Sequence, residues 1–124
     1  MYPDSLSNEP LGLLVQDTDR RFSEIVRWAF YAMVMAEELG VTTKNVDEMA
    51  RGDSPVVKRF LGVTPGHGKM LGLDDKWTQA VVKQVGNYGE VYERNVGGGS
   101  QLKLPRALNT QWNVGGMQYA PPFR

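Results

Sequence analysis

The chain contains no cysteine, which excludes disulfides and thiolate metal sites and leaves the redox compartment unconstrained. It has one histidine, His67, which makes a histidine-based metal site or triad a poor expectation. Neither sign of charge prevails: 14 Lys and Arg balance 14 Asp and Glu. No basic surplus points to nucleic acid, and no acidic tail points to a charged partner. The longest apolar run, Trp28 to Ala36, is bracketed by Arg27 and Glu37 and falls well short of the ~20 residues that span a bilayer. No membrane insertion is expected. The opening Met1-Tyr2-Pro3-Asp4-Ser5 lacks a basic stretch followed by an apolar one, so it is no signal peptide. With Met1 as the native start, the expected location is the cytoplasm.

A length of 124 residues, 41% of them apolar and 23% charged, fits one folded unit, here expected to be a single helical domain over 1–124 with residues 1–8 loose. Leu11 to Val15 is a short apolar run after Glu9-Pro10 and reads as a strand or a lone extended arm. Asp17-Thr18-Asp19 supplies N-caps for a long helix over 19–39, with Gly40 as its stop. Phe22, Ile25, Val26, Ala29, Met33 and Ala36 form one apolar stripe on it, and Trp28, Phe30, Tyr31, Val34 and Met35 extend that stripe around the cylinder. Arg20 and Arg21 begin this helix and Glu37 and Glu38 finish it, against the dipole, so packing must hold it more than propensity does.

Asn45-Val46-Asp47-Glu48 has the form of a capping box and opens a short helix over 45–51. Asp53-Ser54-Pro55 starts another over 55–61, ending at Gly62. Residues 63–73 read as a glycine-rich loop. Asp74 or Asp75 caps a last long helix over 75–95, whose face is Trp77, Val81, Val85, Tyr88 and Tyr92. Within it Glu90 and Arg94 are spaced for an i,i+4 ion pair, and Gly86 and Gly89 would admit a close neighbour. Gly97-Gly98-Gly99-Ser100 is a turn, 105–109 one helical turn, and the tail from Gln111 carries Trp112, Met117, Tyr119 and Phe123 as anchors.

Motifs for chemistry are scarce. Gly66-His67-Gly68-Lys69 lacks the spacing of a phosphate loop, because the upstream glycine is Gly62 and Met70 stands where a hydroxyl residue is needed. His67 reads as a loop histidine in solvent. The adjacent acidic pairs, Glu37-Glu38, Asp47-Glu48 and Asp74-Asp75, do not face a common point on a helix and read as caps and surface. The run from Trp28 to Ala36 has two readings of equal standing, a helix buried within its own fold and an interface with another protein.

The closing segments resemble a known family. They read Gln84-Val85-Gly86-Asn87-Tyr88-Gly89-Glu90-Val91-Tyr92-Glu93-Arg94-Asn95-Val96-Gly97, then Leu102-Lys103-Leu104-Pro105-Arg106-Ala107-Leu108-Asn109, then Gly115-Gly116-Met117-Gln118-Tyr119-Ala120-Pro121-Pro122-Phe123-Arg124. This looks like the carboxyl end of the periplasmic general L-amino-acid-binding proteins that deliver substrate to ABC importers. The resemblance covers about Leu6 to Arg124, roughly the last third of such a receptor, and Asn8 stands where the family commonly has lysine. It implies a two-lobed receptor joined by a hinge. There an arginine of the first lobe clamps the amino acid's carboxylate and an aspartate of the second holds its ammonium. Both lie upstream of this chain, so no ligand-contacting residue carries over.

The expected fold is therefore mainly α: two long helices, two short ones and an extended amino-terminal arm, with exchange of an element between copies as an open variant. The expected role is a non-enzymatic, truncated receptor domain that self-associates. The alternative is a module binding an amino acid or another small molecule, related to ABC amino-acid transport. No catalytic residue, metal or cofactor is expected. The expected partner is a second copy, through Trp28, Phe30, Tyr31, Val34, Met35 and Trp112. Leu11–Val15 and Gly97–Ser100 would be the hinges of any exchange, and a small-molecule pocket would be edged by Trp28, Tyr31 or Trp112.

Overall fold

The structure is a computed structural model and describes residues 12–16 and 18–123. It is mainly helical, as the caps and periodicities predict. Among the described residues six α-helices follow one another: α1 (Arg20–Glu38), α2 (Val46–Arg51), α3 (Pro55–Phe60), α4 (His67–Leu71), α5 (Trp77–Val85) and α6 (Tyr88–Asn95). Two 3₁₀ turns, Ala107–Asn109 and Trp112–Val114, punctuate the tail. No β-strand forms among the described residues. One isolated parallel bridge joins Gln111 to Gln118. Residues 12–16 carry no regular structure, and Leu14 is 99% exposed. The rest of the anticipated strand, Leu11, and the loose residues 1–8 lie outside the described residues, as does the N-cap candidate Asp17.

Helix α1 begins at Asp19, whose carboxylate accepts the Phe22 N–H at 3.1 Å. It ends in a Schellman motif. Gly40 takes φ +68°, Val41 N–H bonds Ala36 O at 2.7 Å and Gly40 N–H bonds Glu37 O at 3.0 Å. The misplaced terminal charges find other partners. Arg20 pairs with Glu24 at 3.6 Å, Arg21 Nε donates to Leu71 O at 3.3 Å, and Glu37 receives Arg106. The helix packs on α4, α5 and α6, and α2 packs on α3 and α5. The core lies where these meet. Ala32, Val34, Met35 and Ala36 of α1 are buried with Val41, Val46, Val57, Phe60, Leu61, Leu71, Trp77, Val82 and Ala120. Phe22 was expected in this stripe but is 54% exposed, because burial on α1 concentrates in its second half, from Ala32 to Ala36.

Five local expectations are corrected. The anticipated helix over 75–95 is two helices, because Gly86 takes φ +93° and Asn87 starts α6 afresh. Val85, the last residue of α5, is 41% exposed. The anticipated capping box at Asn45–Glu48 does not form. Asn45 Oδ1 instead accepts the Thr42 N–H at 2.7 Å while its Nδ2 donates to Gly40 O at 2.9 Å, closing the turn between α1 and α2. The capping box is at Asn87–Glu90, where Asn87 Oδ1 accepts the Glu90 N–H and Glu90 accepts the Asn87 N–H, both at 2.9 Å. Glu90 consequently turns away from Arg94, which donates to Val85 O at 2.9 Å instead of forming the expected ion pair. Finally, the anticipated loop at 63–73 contains α4. Gly68 lets it lie against the next turn, since a Cβ there would meet Asp74 O at 2.6 Å and Asp75 Cα at 2.7 Å. Asp74 and Asp75 do not cap α5 by side chain. Asp74 Oδ1 accepts the Lys76 N–H at 2.8 Å and Asp75 Oδ1 accepts the Gly66 N–H at 3.1 Å.

Candidate functional site

Two concavities flank α1. The larger is an open groove of about 800 Å³ between α1, α6 and the tail. Phe30 and Tyr31 supply one wall, Tyr88, Tyr92 and Val96 the other, and Leu104 the rim. Phe30 and Tyr88 meet edge to face at 5.8 Å. Arg27 is the groove's one charged lining residue among those described. Gly12, Leu13 and Val15 border it, so the amino-terminal arm runs along this face.

The smaller is a cavity of about 300 Å³ between α1, α4, the start of α5 and the tail. Its walls include Trp28, His67, Trp77 and Phe123, with Glu24 and Arg27 one turn apart on α1. The Phe123 ring sits among aromatics, 5.2 Å from Trp28, 5.3 Å from Phe60 and 5.8 Å from His67. His67 is not in solvent as its sequence context suggests. It opens α4, its Nδ1 accepts the Trp77 indole N–H at 3.0 Å, and its Nε2 lies 2.8 Å from Arg59 O. An indole can only donate and a carbonyl can only accept, so these contacts assign the Nε2–H tautomer. Nothing in the local sequence signals this pairing of α4 with α5.

A polar clamp closes the groove's far end. Arg106 forms a two-pronged pair with Glu37, one contact at 3.0 Å, and donates to Asn109 O at 2.7 Å. Its guanidinium lies 5.4 Å from the Tyr88 ring and 5.7 Å from Tyr92. Gln111 Nε2 donates to Glu37 at 3.0 Å and to Val34 O at 3.1 Å. The hydrogen bond to Glu37 holds Arg106 above even its usual high pKa. Burial raises the Tyr88 phenol, against the nearby Arg106 charge. Gly89 admits this clamp, as its close-neighbour reading predicts: a Cβ there would lie 3.0 Å from both Arg106 and Glu37.

The residues singled out as an interface are dispersed. Phe30 and Tyr31 line the groove and Trp28 lines the small cavity. Val34 and Met35 are inside the core of their own chain. Trp112 is 52% exposed and borders neither concavity; its indole N–H reaches Glu38 at 3.4 Å and its ring meets Tyr119 at 6.2 Å. Of the tail anchors, Phe123 is the one packed into the core, while Trp112, Met117 and Tyr119 remain exposed. Among the described residues no cluster of three or more His, Cys, Asp or Glu could hold a metal, and no helix is long and apolar enough to cross a membrane.

No protein-family model matches the sequence. Individual proteins do. The chain is 51% identical over 126 residues to the general L-amino acid-binding periplasmic protein AapJ of Rhizobium johnstonii, and 46% identical over 125 residues to the glutamate/glutamine/aspartate/asparagine-binding protein BztA of Rhodobacter capsulatus. It is 49% identical over 125 residues to the putative amino-acid ABC transporter-binding protein YhdW of Escherichia coli. Each match covers all of this chain but 37% of the relative. The fold agrees: a periplasmic binding protein from Brucella ovis, solved with glutathione bound, superposes with a TM-score of 0.91 at 49% identity. That match covers 98% of this chain and 39% of the other. The chain is homologous to the carboxy-terminal part of periplasmic amino-acid-binding proteins of ABC transporters. It spans a little over a third of the length of these relatives, each of which is named as a binding protein.

Proposed function

We propose that this chain serves amino-acid binding linked to ABC import, as the carboxy-terminal helical portion of a two-lobed receptor, and catalyses no reaction. The observation that carries this reading is the superposition of nearly the whole chain on part of a ligand-bound binding protein. The groove between α1 and α6 supports a packing role. Its lining is aromatic and apolar with a single charged side chain among the described residues, which suits a protein surface better than a free zwitterion. Burying a few hundred Å² of such surface at ~25 cal/mol per Å² contributes several kcal/mol. Phe30, Tyr31, Tyr88 and Tyr92 are then the residues that seat the preceding lobes, and the chain acts as one helical unit within them. The test is reconstitution with the preceding two thirds of AapJ. The two pieces should co-elute, and the mixture should bind glutamate where neither piece alone does. Pieces that stay apart, or an upstream piece that binds as tightly by itself, would refute the assignment.

One observation favours a second reading, self-association. Phe30 and Tyr31, two of the residues expected at an interface, line the open groove, and identical faces close most readily as a two-fold pair. A symmetric dimer would occupy the surface that otherwise seats the lobes. Light scattering of the chain at micromolar concentration decides: a mass near the monomer's 13.9 kDa ends this reading.

A further inference from the structure

The small cavity is unlike the groove in a way that points to a ligand rather than a protein surface. It is narrower, at about 300 Å³, near the lower bound of small-molecule sites. Its lining is largely aromatic and apolar, and the polar ring atoms of Trp77 and His67 are already paired. The Trp77 N–H is given to His67 Nδ1, and His67 Nε2 is given to Arg59 O. This lining suits an apolar ligand portion, and the edge-on rings of Trp28 and Phe123, 78° apart, favour a flat one.

The mouth supplies the charge. Glu24 is engaged by Arg20 one turn earlier, at 3.6 Å, so its charge is offset. Arg27 is exposed and forms no ion pair or hydrogen bond with any described residue. Among the described residues the unpaired charge at the rim is thus a guanidinium, which recognises carboxylates by two parallel hydrogen bonds. We infer that the cavity between α1, α4 and the tail binds a planar aromatic group carrying a carboxylate, with the ring among Trp28, Trp77 and Phe123 and the carboxylate on Arg27. The site shares Arg27 with the groove but is otherwise lined by different residues, and the inference does not rest on the receptor assignment.

The three tryptophans make the test internally controlled. Trp28 and Trp77 line the cavity, while Trp112 does not. The probe is 3-phenylpropionate, titrated into the full chain while the three indole N–H signals are followed in ¹H–¹⁵N spectra. Saturable shifts of Trp28 and Trp77 with a stationary Trp112 are expected, with an affinity in the range of about 0.1–1 mM for so small a ligand. Arg27→Gln, at an exposed position that should not disturb folding, should weaken binding roughly ten-fold. Glu24→Gln should not weaken it. Equal shifts of all three signals, no shift, undiminished binding by Arg27→Gln, or equal binding of the cation 2-phenylethylamine would each overturn the inference.

Discussion

Replacing Arg106 by methionine tests the clamp that fastens the tail to α1. Methionine keeps much of the side-chain volume and removes the charge. The loss is a two-pronged contact with Glu37, a bond to Asn109 O and two ring contacts with Tyr88 and Tyr92. Arg106 and Glu37 are only 17% and 18% exposed, so the pair is poorly screened by solvent. Breaking a buried pair by removing one partner costs ~3–5 kcal/mol, chiefly because the other charge is stranded. Glu37 keeps the Gln111 bond at 3.0 Å, which places the expected loss at the low end, about 3 kcal/mol. Against a typical total of ~5–15 kcal/mol this is a large fraction. In urea, with a slope of ~1.5 kcal/mol per M, the midpoint should fall by about 2 M, read by far-UV circular dichroism. The double variant Glu37→Met/Arg106→Met removes both charges and should recover at least half of that loss. A loss below ~1 kcal/mol for Arg106→Met, or a double variant as unstable as the single one, refutes the view that a stranded carboxylate is what costs stability.

Three other outcomes are expected. Gly68→Ala sets a Cβ against backbone atoms of Asp74 and Asp75 that no rotamer change can move, so it should cost about 2 kcal/mol and lower Tm, while Gly12→Ala, with open space around it, should not. For Glu90, burial alone would raise the carboxyl, but hydrogen bonds from Thr43 and the Asn87 N–H, helped by the Arg94 charge, outweigh it and lower the pKa. A depressed folded-state value means that Glu90 stabilises the fold above the ordinary carboxylate range and loses this as pH falls through the folded-state pKa. Stability curves measured from neutral to acid pH should therefore be flatter for Glu90→Gln. Calorimetry of the chain alone with glutamate or glutamine should show no micromolar binding, since Arg27, the one charged residue lining the groove among those described, cannot satisfy both ends of a zwitterion.

The sequence announced those elements whose signals are local. Asp19, Gly40, Ser54 with Pro55, and Gly62 mark α1 and α3 by side-chain and backbone chemistry within a few residues. Two signals competed at 75–95. The spacing from Trp77 to Tyr92 favours one helix, and Asn87 with Glu90 favours a restart; the restart prevails because Asn87 also reaches across to Val41 O at 2.8 Å and Glu90 to Thr43 Oγ1 at 2.7 Å. Asn45 shows the converse, a capping pattern defeated by the turn at Thr42 and Gly40. Helix α4 has only five residues, Gly68 among them, between Gly66 and Gly72, so propensity cannot announce it, and packing against Asp74 and Asp75 creates it. As for the candidate sites, Phe30, Tyr31, Tyr88 and Tyr92 were visible as helix faces. The pairing of His67 with Trp77, ten positions apart, and the seating of Phe123 beside Trp28 are tertiary and left no local trace.

The shortness of the helices has a consequence for how this molecule opens. Helices α2 to α6 run from five to nine residues, below the ~12–15 at which an isolated helix holds together in water. Each therefore keeps its shape only while it touches α1 or another neighbour. Partial opening that frees one of them should melt it at the same time, so slow amide exchange in α5 and α6 should disappear together with that of the second half of α1 rather than element by element. An element handed from one copy of this chain to another would have to cross as coil and refold on arrival, which puts a barrier near that of global unfolding in front of any exchange.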